Sequence, residues 1–173
     1  MAEARFVPAA LERFWELRER EGRSHELRHQ LEAILEREGA RAPLAQLQEL
    51  LVLMLYWGTA LDVREIAGLR KSQIQPAEMG RFKVQLERRG GAPTMQVLSA
   101  ETSAALRLFL NRSDAADDLL LRDAAGRPWA ETELYDLVQR NASGLLLGAA
   151  LIACIPPAIR AMRVDPVEGL RAE

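Results

Sequence analysis

Residues 50–74 read LLVLMLYWGTALDVREIAGLRKSQI, and the fold turns on how this stretch divides. Leu50, Leu51, Val52, Leu53, Met54 and Leu55 leave a helix no polar side, which puts that helix at the centre of a core. Trp57-Gly58-Thr59 breaks it. Asp62 restarts the chain, because a carboxylate with Glu65 three residues later is the pattern of an N-cap and its capping-box partner. Val63, Ile66, Ala67 and Leu69 then give a short second helix its buried stripe.

Upstream, residues 8–21 carry Leu11, Phe14, Trp15 and Arg18 on one helical stripe, closed by Gly22. Ser24 is placed to cap a helix reaching about residue 38, with Leu27, Leu31, Ile34 and Leu35 facing inward. Residues 39–43 read as a loop before the core helix. Downstream of Pro76 and Gly80 the period changes to two. Phe82, Val84 and Leu86 alternate with Lys83, Gln85 and Glu87, the mark of a half-buried strand. Arg88-Arg89-Gly90-Gly91 is a turn, Met95 and Val97 mark a less regular return strand, and Ile74 opens a short third one. Ser99 caps a helix bearing Ala105, Leu106, Phe109 and Leu110. A turn at Gly126-Arg127-Pro128 precedes a helix over 131–140 with Leu134, Leu137 and Val138 on one side. The fold class is therefore mainly α with a small antiparallel β-sheet (α+β).

At 173 residues the chain holds one ordinary domain and an appended segment. Its net charge of −2 gives no general case for nucleic acid. The distribution is less even. Between residues 64 and 89 stand seven basic side chains (Arg64, Arg70, Lys71, Arg81, Lys83, Arg88, Arg89) against three acids (Glu65, Glu78, Glu87). A basic middle next to an acidic N-terminal part points to a face for a polyanion. Cys154 is the one cysteine, so neither an internal disulfide framework nor a cysteine zinc cluster is available. No His/Cys/carboxylate spacing suits a metal and no glycine-rich phosphate loop precedes a helix, so no cofactor is expected. Ser24-His25 lacks the orienting acid of a hydrolase triad.

The sequence around Asp62 resembles the tyrosine recombinase (phage integrase) family, in which an apolar helix runs into a turn of the form T-G-L-R-x-S-E-L-x-x-L-R. Leu61, Glu65, Leu69 and Arg70 fall on that framework. The hairpin with its basic turn, the Leu98-Ser99 exit into a helix, and LLLRDAAGRPWAETELYDLVQR extend the resemblance over residues 24–140. It implies a truncated DNA breaking-rejoining-like catalytic domain, preceded by an N-terminal helix over 1–23.

Such enzymes attack a phosphodiester with a tyrosine hydroxyl while two arginines hold the non-bridging oxygens. Here the first arginine position falls on Asp62, whose carboxylate would repel a phosphate. Arg64 lies about 200° round a helix from it and cannot take its place. The hairpin lysine position falls on Arg89, which stays protonated and is a poor general acid. Neither tyrosine, Tyr56 or Tyr135, lies near the C-terminal end where the nucleophile belongs. His25-Glu26-Leu27-Arg28-His29 is similar to the family's His-x-Leu-Arg-His box but stands before the first box. As a circular permutation it would make His25 and Arg28 catalytic; read plainly, both are polar positions on an amphipathic helix. The expectation is a protein with no catalytic residues that touches DNA phosphates weakly through Arg70, Lys71, Lys83, Arg88 and Arg89.

Residues 141–159 carry no charge, and 145–155 are nearly all apolar, bordering on the length of a membrane span. The tail ALIACIPPAIRAMRVDPVEGLRAE resembles the C-terminal end of FtsX-like ABC-transporter permeases through Pro157-Ala158, Ala161, Asp165-Pro166 and Leu170-Arg171. Residues 141–173 therefore form a third segment, an apolar helix and permease-like tail. Two alternatives to the DNA-binding reading follow: a membrane-anchored fragment held through residues 142–159, or a soluble interaction module whose apolar run packs as a core helix. The charged opening residues contain no secretory h-region, so a cytoplasmic location is expected, with the inner membrane as the alternative.

Overall fold

The computed structural model describes residues 6–19, 24–59, 61–86, 93–113, 118–123 and 125–146. Within them the chain is mainly helical, with one three-stranded antiparallel sheet. It divides into two units, residues 1–135 and 136–173. The division falls inside the last helix.

The centre of the first unit is α3 (Leu44–Gly58). Leu50, Leu51, Val52, Leu53, Met54 and Leu55 are each at most 1% exposed. Six consecutive buried positions go fully round a helix, so every side must be covered. The cover comes from α1 (Phe6–Glu19) and α5 (Ala100–Arg112), both packed on α3. α1 presents Phe6, Val7, Ala10, Leu11 and Phe14, and α5 presents Ala105, Leu106 and Phe109, all buried at helical spacing. Each large buried side chain contributes about 1.5–3 kcal/mol relative to exposure, against about 1 kcal/mol for a good cap. Packing, not capping, holds α3. Gly58 permits the close approach: a Cβ there would lie 3.0 Å from Phe14 Cζ and 3.2 Å from Thr102 Oγ1.

α2 (Ser24–Ile34) packs on α1 and α5. Ser24 is already its first helical residue, one position later in the helix than a cap. The expected loop begins later too: Leu35–Gly39 forms a π-helical turn, and the loop proper is confined to residues 40–43. Arg112 Nη1 donates to the Gly39 carbonyl at 2.6 Å, satisfying one of the acceptors that a helix end leaves open.

After α3 the chain leaves in extended form at Thr59, whose hydroxyl donates to the Leu55 carbonyl at 2.6 Å and accepts from the Leu61 N–H at 3.0 Å. α4 (Val63–Ala67) follows with the capping box intact. Glu65 N–H donates to Asp62 Oδ1 at 2.8 Å, and Asp62 N–H to Glu65 Oε2 at 2.9 Å. Ile66, Ala67 and Leu69 are buried and Val63 is half-buried.

The sheet is β1 (Ile74–Pro76), β2 (Phe82–Leu86) and β3 (Thr94–Val97), in the order β1-β2-β3. Ile74 opens the third strand as its sequence implied, opposite Val84. Val84 and Leu86 are buried on the inner face. α5 is tied to that face by Phe82 N–H donating to the buried Ser103 hydroxyl at 3.1 Å. β3 departs from simple alternation: its apolar Met95 and Val97 are 42% and 55% exposed. They pair with Gln85 and Lys83, so they belong to the outer face. β3 pairs on one side with β2 and is a strand of the sheet margin among the described residues.

Residues 118–123 return beside α4 and the turn before β1. Leu120 N–H donates to the Leu69 carbonyl at 3.0 Å and Lys71 N–H to the Asp118 carbonyl at 2.7 Å. Buried Gln48 of α3 clasps the same segment: its Nε2 donates to the Arg122 carbonyl and its Oε1 accepts from the Arg122 N–H at 3.1 Å. Asp123 then organises the expected turn, accepting from the N–H groups of Ala125 at 2.9 Å and Arg127 at 2.7 Å. α6 (Glu131–Leu146) runs six residues past the expected end at 140, and Leu134, Leu137 and Val138 are buried.

The Gln48 clasp gives a first prediction. Gln48→Leu removes both hydrogen bonds between this side chain and the part-buried Arg122 backbone and is expected to cost about 1–3 kcal/mol in urea unfolding. Unchanged stability would mean that the 118–123 segment is held by Leu120 and Leu121 alone.

Candidate nucleic-acid interface

The residues singled out by sequence fall on several different elements. Asp62, where the resemblance would put a phosphate-gripping arginine, is exposed, and both its backbone N–H and its carboxylate are engaged in the capping box. Arg64, the second residue of α4, pairs with Glu131 at 3.3 Å, both side chains being largely exposed. An exposed pair of this kind contributes little to stability.

Arg70 and Lys71 lead into a single 3-10 turn, Lys71–Gln73, that feeds β1. The turn is pinned by Gln73, whose Oε1 accepts from the Arg70 N–H at 2.8 Å and whose Nε2 donates to the Gln85 carbonyl at 3.1 Å. A carboxylate sits among these cations. Asp118 accepts from the Ser72 N–H at 2.8 Å and the Ser72 hydroxyl at 2.6 Å, and lies 3.8 Å from Arg70 Nη1. Hydrogen bonds from the Ser72 side chain and backbone, helped by the charges of Arg70 and Lys71, hold the Asp118 carboxyl below the ordinary 3.8. Arg70 thus already has a negative neighbour, and a phosphate would compete with it.

Lys83 lies on β2, paired with Gln75 on β1 and Val97 on β3. The structure joins it to the Arg70 region through the sheet: Gln73 reaches Gln85, two residues from Lys83 on the same strand. Arg88 and Arg89 lie outside the described residues. Arg81, counted in the basic run, shares the two-residue period of Lys83 and Gln85; sequence reasoning passed over Asp118, whose contact with Ser72 spans 46 residues and leaves no local signal.

The box at residues 25–29 has a structural occupation. Arg28 Nε donates to Glu101 Oε1 at 2.6 Å, linking α2 to the first turn of α5. Burial pushes the Glu101 carboxyl up. Hydrogen bonds from its own backbone, from Arg28 and from Ser99, together with the Arg28 charge, outweigh that and hold it below the ordinary 4.5. His29 Nδ1 lies 3.5 Å from Glu32 on the same helix. The side chain of His25 lies outside the described residues. Of the tyrosines, Tyr56 is half-buried against Trp57, with ring centroids 6.4 Å apart, and Tyr135 is 52% exposed on α6.

Among the described residues no group of three or more His, Cys, Asp or Glu side chains is arranged to hold a metal, and no helix is long and apolar enough to cross a membrane. Most of the 142–159 run, and all of the permease-like tail, lies outside the described residues. No protein-family model and no curated protein matches this chain.

The Arg28–Glu101 pair generates a pH prediction. A folded-state carboxyl held below 4.5 stabilises the fold fully above that value, and the contribution is lost as pH falls through the lower folded value. Only the arginine is well exposed, 44% against 10% for Glu101. Glu101→Gln is therefore expected to cost about 1–2 kcal/mol at neutral pH. The gap to the natural protein should close as unfolding is repeated at pH values falling progressively below 4.5. A gap that does not change with pH would show that the charge on Glu101 contributes nothing.

Proposed function

We propose that the chain is a recombinase-like DNA-holding module that lacks strand-cleaving chemistry. It contacts the phosphate backbone weakly through Arg70, Lys71 and Lys83, with Arg88 and Arg89 of the β2–β3 connection adding to the same charge. The observation that carries this reading is the order of parts. A buried helix turns sharply into a short capped helix, a three-stranded antiparallel sheet follows at once, and a Ser-capped helix returns beneath it. That order agrees with what the sequence resemblance around Asp62 implies for the first half of a recombinase catalytic domain.

The side chains favour holding over cutting. Asp62 is committed to the α4 cap, and a carboxylate at that point opposes the approach of a phosphate. Arg64 and Arg70 each have an acidic neighbour, Glu131 at 3.3 Å and Asp118 at 3.8 Å. Both pairs are solvent-accessible, so a polyanion displaces them at small cost, but the net attraction is reduced. Weak, salt-sensitive, largely sequence-tolerant contact with the backbone is the result.

Fluorescence anisotropy with a labelled duplex tests this. At about 20 mM salt binding is expected, with log affinity falling against log salt at a slope of about −2 to −3 for three phosphate contacts. The combined variant Arg70→Ala, Lys71→Ala, Lys83→Ala should flatten that slope toward zero. An absence of binding at low salt would discard the reading.

A further inference from the structure

The outer face of the sheet has a composition that the backbone-contact reading leaves unused. The register sets Gln75 beside Lys83 and Val97, and Gln85 beside Met95. Ala77 N–H donates to the Arg81 carbonyl at 2.9 Å, which continues the β1–β2 pairing, so Arg81 shares the face with Lys83. The described face therefore presents two cations, two primary amides and two exposed apolar side chains. Among the described residues it presents no carboxylate and no aromatic ring; Glu87, next in the same alternation, lies outside them. Of the acids near the basic segment, Asp118 and Glu131 neighbour Arg70 and Arg64, and Glu65 closes the α4 capping box.

Resting on the proposed contact with DNA, we infer that this face enters the major groove of duplex DNA and reads base edges through Gln75 and Gln85. The charge is complementary: Lys83 stands in the middle strand beside Gln75, and Arg81 stands just before that strand. The size is compatible for the β1–β2 pair that carries both glutamines, since the major groove is about 12 Å wide and admits a two-stranded ribbon. Glutamine is the side chain that pairs bidentately with adenine N6 and N7, and apolar tips such as those of Met95 and Val97 suit the thymine methyl group. A single strand is disfavoured as the occupant, because the face offers no ring on which unstacked bases could lie.

The test is affinity selection of the full chain on duplexes with a randomised core, at low salt. The expected result is enrichment of a short motif rich in A·T pairs. Gln75→Ala and Gln85→Ala should each weaken binding to the selected duplex about tenfold while leaving a scrambled duplex unaffected. Lys83→Gln should weaken both. Circular dichroism and thermal unfolding of each variant establish that the sheet is intact; both glutamine side chains lie outside the core. Retention of duplex without enrichment overturns this inference and leaves the proposed function standing. So does equal weakening of selected and scrambled duplex by the glutamine variants. Equal competition by single-stranded DNA also overturns it. If Met95→Asp or Val97→Asp dissociates an oligomer and leaves duplex selection unchanged, the face joins copies of this chain and the inference falls. If no duplex is retained at all, the proposed function fails, and this reading fails with it.

Discussion

A helix with no polar side has no stable place in water, and that constraint shapes the first unit. α3 buries residues 50–55 all the way round, so α1 and α5 exist as its cover. The energy scale makes the dependence plain. Several side chains each contributing about 1.5–3 kcal/mol outweigh every local hydrogen bond in the neighbourhood. The same crowding explains the small residue at the helix end. Gly58 leaves room for Phe14 and Thr102, and the chain then turns away at Thr59 instead of continuing. The buried polar group on α3, Gln48, has both ends of its amide committed to the Arg122 backbone.

The turn out of α3 decides the chemistry as much as the geometry. Asp62 is in place to close a capping box, which is a structural use of a carboxylate beside a set of cations. Arg64 and Arg70 are drawn toward acids, while Arg81 and Lys83 stand on a sheet face free of carboxylates among the described residues. The basic middle of the sequence is thus two regions with different character. One is partly compensated by Glu131 and Asp118. The other has no acidic neighbour among the described residues and is mixed with amides.

Much of the fold was legible in local pattern. The all-apolar run named the central helix, Asp62 and Glu65 named the cap, Ser99 named the start of α5, and the two-residue alternation at 82–86 named the middle strand. Each depends on neighbours within four residues, which is the range over which sequence period speaks. The features that escaped are long-range. Gln48 meets Arg122 across 74 residues, Arg28 meets Glu101 across 73, and Ser72 meets Asp118 across 46. Nothing in the sequence near either partner announces them. The outward placement of Met95 and Val97 escaped for a related reason: their face is set by register with β2, and an apolar residue on a marginal strand looks the same from either side. Of the site, the cations were legible as a cluster, but their division by acidic neighbours was not.

The account stands or falls on Asp62 being a structural cap at the point where the resemblance would place a phosphate-gripping arginine. The direct test is the unfolding free energy of Asp62→Ala and Asp62→Asn at neutral pH. If the carboxylate caps α4, alanine costs about 1 kcal/mol and asparagine restores most of it. An alanine variant as stable as the natural chain would contradict the account and return Asp62 to the list of groups with a role other than holding the turn.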